Sequence, residues 1–298
     1  MATVRNLLVA PLGAALVALG TVNAVQAATL YGETEPLGDG FIRSFVELDN
    51  DGKPSEIGVA FSQGALSLPT EPPDLPFNVF LPPEASATPF NYIHVTYRPR
   101  GYPGLPPVFD VPRFSIDFSL LRPQERELIC PNPDRSGSLP ACVGEELQQA
   151  IKTPESGTVP DGMVTDSFGE AGYGVRYFDP DTSLNPFTSF YEYGFFGGKL
   201  SSLDVIVTKA FLETQPDSRY QIKLPKSYSK SGYYPTEYRI SYDATSQEYK
   251  VGYSGLTFRS STSVPERSPI WGLLVLGTWR VIFMLKNKQQ KQKLASRG

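Results

Sequence analysis

The sequence predicts an α+β fold built mainly of antiparallel β-strands, with two or three short helices. An N-terminal signal segment and a C-terminal membrane helix flank that body. Three observations carry the prediction. Gly 26 and Pro 28 together exceed their usual share, which favours a turn-rich chain. Aromatics reach 12%, with 16 Tyr and 18 Phe, and aromatics favour strands. Apolar residues alternate with polar ones in several short runs bounded by turn residues. A coiled coil, a helical bundle and a disordered chain are excluded by the same composition. One His and two Cys exclude a multi-histidine metal site or a zinc finger.

The elements follow in order. Arg5 opens a basic segment, Leu7 to Val22 is mostly apolar, and Val25-Gln26-Ala27 places small residues before a cleavage point between Ala27 and Ala28. Residues 1–27 therefore read as a signal peptide. Residues 28–260 read as one exported globular domain. Phe41 to Leu48 alternates as a strand, Asp49-Asn50-Asp51-Gly52 turns, and Glu56 to Phe61 returns as the second arm of a hairpin. Phe77 to Phe80, Tyr92 to Tyr97 and Arg113 to Leu120 are the next expected strands. Pro123 at a first helical position, with acids close behind, starts a short helix. Leu147 and Ile151, four apart, mark another within Gly144 to Lys152. Phe187 to Phe196 and Lys199 to Val207 flank a Gly197-Gly198 hairpin turn, and the chain turns helical at Val207 to Thr214. Glu237 to Asp243 and Tyr249 to Phe258 are the last strands. No internal repeat is present.

Residues 261–269 read as a linker and Ile270 to Leu285 as a transmembrane helix. Sixteen residues at ~1.5 Å rise span ~24 Å, short of the ~30 Å hydrocarbon core. Arg280 interrupts the run, but near a helix end it snorkels. Lys286, Lys288, Lys291, Lys293 and Arg297 follow in a basic tail, residues 286–298, which carries the positive-inside signature of a cytoplasmic end. A core helix with a solvated tail is the competing reading. Without these ends, residues 28–263 hold 19 basic and 30 acidic residues, net −11. Such a body does not attract nucleic acid through bulk charge.

Cys130 and Cys142 bracket a polar, proline-containing loop. In an exported chain that pattern reads as a disulfide; a redox pair, which usually has Cys-x-x-Cys spacing, and two free thiols are the alternatives. Asp49-Asn50-Asp51-Gly52 has the alternating acids of a calcium loop. Counted from Glu47, however, the twelfth position is Gly58, which cannot supply the bidentate carboxylate such a loop needs, so it reads as a hairpin turn. His94 lies on an alternating strand with no Gly-x-Ser-x-Gly or other nucleophile motif to serve, and reads as structural. The tyrosines from Tyr228 to Tyr242 could stack on sugars, but aromatics also populate strands by propensity.

The run Val264-Pro265-Glu266-Arg267-Ser268-Pro269, followed by the apolar segment and the lysines, resembles a PEP-CTERM sorting tail. That family's motif directs proteins to an exosortase; here Arg267 stands where the family has proline. The body, about residues 30–260, resembles an exported TTHB-type domain of unknown function found in Thermus and cyanobacterial proteins. The resemblance is carried by Ala28-Thr29-Leu30-Tyr31-Gly32-Glu33, Phe45-Val46-Glu47-Leu48-Asp49, Ala87-Thr88-Pro89-Phe90-Asn91, Val207-Thr208-Lys209-Ala210-Phe211-Leu212 and Ser231-Gly232-Tyr233-Tyr234-Pro235-Thr236.

Relatives carry a histidine cluster that implies a metal site in them. The matching positions here are Tyr102, Arg113, Asp117 and Arg176. The resemblance therefore implies a degenerate site without metal or other cofactor, in which Arg113 and Arg176 pair with Asp117 and Asp204 and supply the positive charge. The reading that follows is an exported, membrane-anchored, non-catalytic envelope or surface protein. Its expected partners are the membrane, an exosortase-type sorting enzyme, and extracellular matrix, polysaccharide or copies of itself. A metal-dependent enzyme or metal carrier and a small-ligand-binding module are the alternatives.

Overall fold

The computed structural model describes residues 27–71, 73–102, 107–136, 140–182 and 184–262. The sorting motif Pro265-Glu266-Arg267, the apolar segment, the basic tail and the signal segment before Ala27 lie outside them. Among the described residues no helix is long and apolar enough to cross a membrane.

The chain runs β1 (Ala28–Leu37), β2 (Gly40–Leu48), β3 (Pro54–Ser62), β4 (Leu75–Phe80), β5 (Tyr92–Arg98), β6 (Arg113–Ser119), α1 (Pro123–Glu127), α2 (Gly144–Ala150), β7 (Val164–Glu170) and β8 (Gly174–Phe178). It continues through β9 (Ser189–Phe196), β10 (Lys199–Thr208), α3 (Lys209–Glu213), β11 (Asp217–Gln221), β12 (Gly232–Tyr234), β13 (Glu237–Asp243), β14 (Glu248–Ser254) and β15 (Thr257–Arg259). Two antiparallel sheets result. One has the order β1-β2-β3-β14-β13-β11, the other β4-β5-β6-β10-β9-β8-β7, and β12 pairs with β15 apart from both. The strand-dominated α+β expectation holds in this form.

Alternation decides which side of each strand meets the core. On β6, Phe114, Ile116 and Phe118 point to one face and Arg113, Ser115, Asp117 and Ser119 to the other. The apolar face joins Val59, Phe61, Ile240 and Val251 of the first sheet in one buried cluster. Aromatic rings bridge the sheets: Phe61 stacks on Phe114 at 5.7 Å, and Phe118 meets the edge of Tyr253 at 4.9 Å. Tyr253 also donates its hydroxyl proton to the Asp204 carbonyl at 3.1 Å. The sheets approach most closely where β1 and β2 meet β4. A Cβ at Gly32 would stand 2.5 Å from the Phe80 carbonyl oxygen, so only glycine fits there.

All seven residues of β6 are buried, so both of its faces are covered. The outer face lies under the excursion between β6 and β8, which contains α1, α2 and β7. Cys130 and Cys142 form a disulfide there, with Cα atoms 5.3 Å apart. Together with Ile129 and Ala150 they make a second small core. The Cys142 amide donates to the Gly169 carbonyl, which ties the bridged loop to β7. After β10, the Thr208 hydroxyl accepts from the Phe211 amide and starts α3.

Several strands depart from the sequence reading. β1 and β11 are sheet edges: β1 is largely exposed, and β11 alternates only between exposed and half-buried positions, with Tyr220 as its one aromatic residue. β7, β8 and β12 are also additional to it. The expected strand Tyr249 to Phe258 is broken at Gly255, with φ of 62°, into β14 and β15; glycine adopts that left-handed conformation without steric cost.

Candidate functional site

The outer face of the second sheet carries a row of polar side chains set by strand register. Asn78 pairs with His94, His94 with Asp117, Asp117 with Asp204, and Asp204 with Glu192, across β4, β5, β6, β10 and β9. Directly opposed residues share a face, so three carboxylates stand side by side. Asp117 and Asp204 are 1% and 0% exposed.

Arg176, on β8, neutralises this row. Its Nη1 donates to Glu192 Oε2 at 2.8 Å and to Asp204 Oδ2 at 2.9 Å, and its Nε lies 3.6 Å from Glu170 Oε2. Glu170 bridges onward: Arg98 Nη2 donates to its Oε1 at 3.2 Å, while Arg98 Nη1 donates to Asp74 Oδ2 at 2.6 Å. Two tyrosines each lie between two guanidinium groups. Tyr173 has Arg126 at 4.1 Å and Arg176 at 4.2 Å from its ring centroid; Tyr102 has Arg113 at 3.7 Å and Arg98 at 4.6 Å. Each contact is a cation–π interaction in a largely desolvated setting.

His94 ends a hydrogen-bonded chain. Its Nδ1 meets Asn78 Oδ1 at 2.8 Å and its Nε2 meets the Thr96 hydroxyl at 3.2 Å, while that hydroxyl meets Tyr173 Oη at 3.3 Å. All partners are satisfied when Tyr173 donates to Thr96, Thr96 donates to Nε2 and Nδ1–H donates to Asn78. Burial first, then the positive charge of Arg126, Arg98 and Arg176, pulls the His94 pKa down to about 3. The ring is neutral at neutral pH, and both nitrogens are engaged.

Burial pushes the Asp117, Asp204 and Glu192 carboxyls up, against the pull of Arg176. The neighbouring charge of Asp117 adds to the rise at Asp204. Asp117 differs from its neighbours because both of its oxygens lack a hydrogen-bond partner among the described residues. A small cavity beside it, lined by Arg126, Tyr173 and Ser202, has room for about one water. Ser115 Oγ and all three guanidinium nitrogens of Arg113 are likewise buried without hydrogen-bond partners among the described residues.

The residues singled out in the sequence thus fall on one face, grouped in two parts. Arg176, Asp204 and Asp117 lie in the acidic row. Tyr102 and Arg113 lie at the other end of β6, where Phe187 and Phe109 complete an aromatic cage around the guanidinium, at 5.9 and 6.0 Å. The expected pairing of Arg113 with a carboxylate is corrected. Arg113 makes no ion pair among the described residues, because four residues of strand, ~13 Å, separate it from Asp117. Sequence reasoning missed Glu170, Glu192, Arg98, Arg126 and Tyr173. The available signal was a lone acid or base within an otherwise apolar strand, as in Phe190-Tyr191-Glu192-Tyr193.

These residues do not fit a metal ion of the kind expected from the resemblance. Glu192 and Asp204 are engaged by Arg176, and both His94 nitrogens have other partners. Arg98, Arg113, Arg126 and Arg176 bring four positive charges against the five acids Asp74, Asp117, Glu170, Glu192 and Asp204. A divalent cation would leave the cluster in excess positive charge. Among the described residues no group of three or more His, Cys, Asp or Glu is placed to hold a metal.

Residues 49–97 match the family described as TTHB210-like, hypothetical protein TTHB210. That stretch runs from the β2–β3 turn through most of β5, well under half of the chain, and supports a TTHB-type domain of unknown function. It includes Asn78 and His94 and stops before Tyr102, so most of the charge cluster lies beyond it. No curated protein and no solved structure gives a significant match.

Proposed function

We propose that this chain is an exported, membrane-anchored, non-catalytic envelope or surface domain in which a buried arginine has replaced a metal ion. The observation that carries the proposal is Arg176 in contact with Glu170, Glu192 and Asp204. A planar guanidinium gives several carboxylates hydrogen bonds as well as charge, so one side chain does the holding that an ion does in a metal site. The disulfide supports an oxidising compartment. The signal segment, the basic tail and the acidic body support export and anchoring.

Two experiments test it. Metal analysis of the purified full-length chain is expected to find no stoichiometric transition metal; one ion per chain would overturn the replacement. Cell fractionation of the full chain and of a form ending at Ser263 is expected to find the first in the membrane fraction and the second released. Membrane association without the tail would overturn the anchoring.

A second reading, a small-ligand-binding module, is favoured by one observation. Arg113, Ser115 and Asp117 present a buried line of unpartnered polar atoms along β6. Buried polar groups in folded proteins are nearly always satisfied, so the Asp117 end of this line, beside a cavity with room for about one water, accepts water or a polar group of that size.

A further inference from the structure

A second row of polar side chains crosses the opposite sheet, and it is open. Glu47 pairs with Glu56, Glu56 with Ser254, Ser254 with Glu237, and Glu237 with Gln221, across β2, β3, β14, β13 and β11. The first four line a cleft of about 550 Å3. Beside it stands the separate β12–β15 pair. Tyr233 and Phe258 are directly opposed there, with ring centroids 5.5 Å apart, and Phe258 is 54% exposed. Both rings line the cleft.

The charges in this cleft are largely paired within the protein. Lys250 donates to Glu47 at 2.8 Å, and Arg219, Gln221 and Ser254 all donate to Glu237 at 2.8 Å. Asp49 accepts from the amides of Asp51 and Lys53 in its own turn. Glu56, which also lines the cleft, stands apart: it is 4% exposed, its Oε2 lies 3.7 Å from Arg239, and its buried Oε1 has no hydrogen-bond partner among the described residues.

This pattern selects a ligand class. A strongly cationic ligand needs unpaired acids, and here Glu47, Asp49 and Glu237 each already accept from a donor within the protein. An apolar ligand needs an apolar, enclosed pocket, whereas this cleft is open and floored by polar groups. An anion meets four carboxylates. A neutral, hydroxyl-rich ligand fits: hydroxyls both donate and accept, and so use the spare lone pairs of paired carboxylates without breaking the ion pairs. Neighbouring positions in the row stand ~4.8 Å apart, close to the length of one sugar ring. The exposed Phe258 ring and its Tyr233 partner offer an apolar surface to the C–H face of such a ring.

We infer that this cleft binds a segment of polysaccharide, with Tyr233 and Phe258 as the stacking wall and Glu56 as the buried hydrogen-bonding group of the floor. The inference gives the proposed envelope domain a partner class and rests on that reading only for where the partner is met; binding itself is a property of the cleft.

The test uses the purified full-length chain on an array of neutral and uronic-acid oligosaccharides, with the best binder carried into calorimetric titration against variants. At least one oligosaccharide is expected to bind. Phe258→Ala, a change at an exposed ring, is expected to weaken it about tenfold, the equivalent of one lost stacking contact. Glu56→Gln should weaken it as well, while Leu128→Ala, an exposed change remote from the cleft, should leave it unchanged. Circular dichroism melting of each variant separates lost binding from lost folding. The inference is overturned if no oligosaccharide binds, if Phe258→Ala and Glu56→Gln both bind as well as wild type, or if a polylysine peptide binds at this cleft while every sugar fails. A soluble or cytoplasmic location in fractionation would overturn the envelope reading and leave this binding result standing.

Discussion

Arg176 Nη1 and Asp204 Oδ2 lie 2.9 Å apart beneath the covered face of the second sheet, on strands β8 and β10 with β9 between them. The same nitrogen reaches Glu192 on that intervening strand. One side chain therefore links three strands and, through Glu170, the end of β7. Its loss leaves buried carboxylates without their counter-charge. Arg176→Met is expected to destabilise the fold by ~3–5 kcal/mol, the cost of breaking a buried pair from one side. Urea unfolding checks it; a change below ~1 kcal/mol, the range of an exposed pair, would contradict it.

Arg113 gives the opposite expectation. Its guanidinium is fully buried, has no hydrogen-bond partner and no ion pair among the described residues, and rests on the Tyr102 ring. Burial pulls its pKa down, which measures the cost of keeping it charged there. Arg113→Met removes that cost and loses a cation–π contact of ~0.5–2 kcal/mol, so the net change should stay within ~1 kcal/mol of zero or be stabilising. A loss as large as that of Arg176→Met in the same denaturation assay would show that Arg113 has a charged partner after all.

The disulfide should hold the cover over the charge cluster. Cys130 and Cys142 are 12 apart in sequence, and closing such a loop contributes ~3 kcal/mol in the chain-entropy view. The unreduced, denatured chain is expected to yield no titratable thiol. The Cys130→Ser, Cys142→Ser double variant should unfold at lower urea. Free thiols in the first experiment, or an unchanged midpoint in the second, would refute this.

His94 should give stability a pH slope. The unfolded ring takes a proton near pH 6.5, whereas the folded ring does so only near pH 3. As pH falls below ~6.5 the unfolded state binds a proton that the folded state refuses, so stability is lost down to about pH 3, at up to ~1.4 kcal/mol per pH unit. The buried carboxyls, whose pKa values are raised, act in the opposite sense: their contribution is present at low pH and is lost as pH rises. The comparison is therefore between wild type and His94→Gln, with wild type losing stability more steeply between pH 6 and 4. Parallel profiles would exclude a neutral, buried His94.

The sequence made the central strands readable because their two faces differ. Phe114, Ile116 and Phe118 alternate with Arg113, Ser115 and Asp117, and that alternation marks both the strand and its polar face. It could not show that the polar face is buried. The cover comes from residues around Arg126 and Tyr173, distant in sequence and set in turns and short elements with little periodicity. β1 escaped notice because most of its residues are exposed, and β11 because its half-buried side is Ser218 and Tyr220, a single aromatic in five residues. The grouping of Arg176 with Asp204 followed from a family resemblance, and the role of Glu192 and Glu170 did not, because register across β8, β9 and β10 decides which acids meet the guanidinium. Tyr233 and Phe258 lay in aromatic-rich stretches, but only the β12–β15 pairing sets the two rings together beside Glu56.

The proposed replacement of an ion by an arginine is tested most directly by a double-mutant cycle on Arg176 and Asp204, using Arg176→Met, Asp204→Asn and the combined variant in urea unfolding. The two groups meet in a buried hydrogen bond, so their coupling should reach ~1–3 kcal/mol, with the combined variant more stable than the two single losses added together. Additivity within ~0.5 kcal/mol would mean that the guanidinium does not hold the acidic row, and would contradict its role in place of a metal.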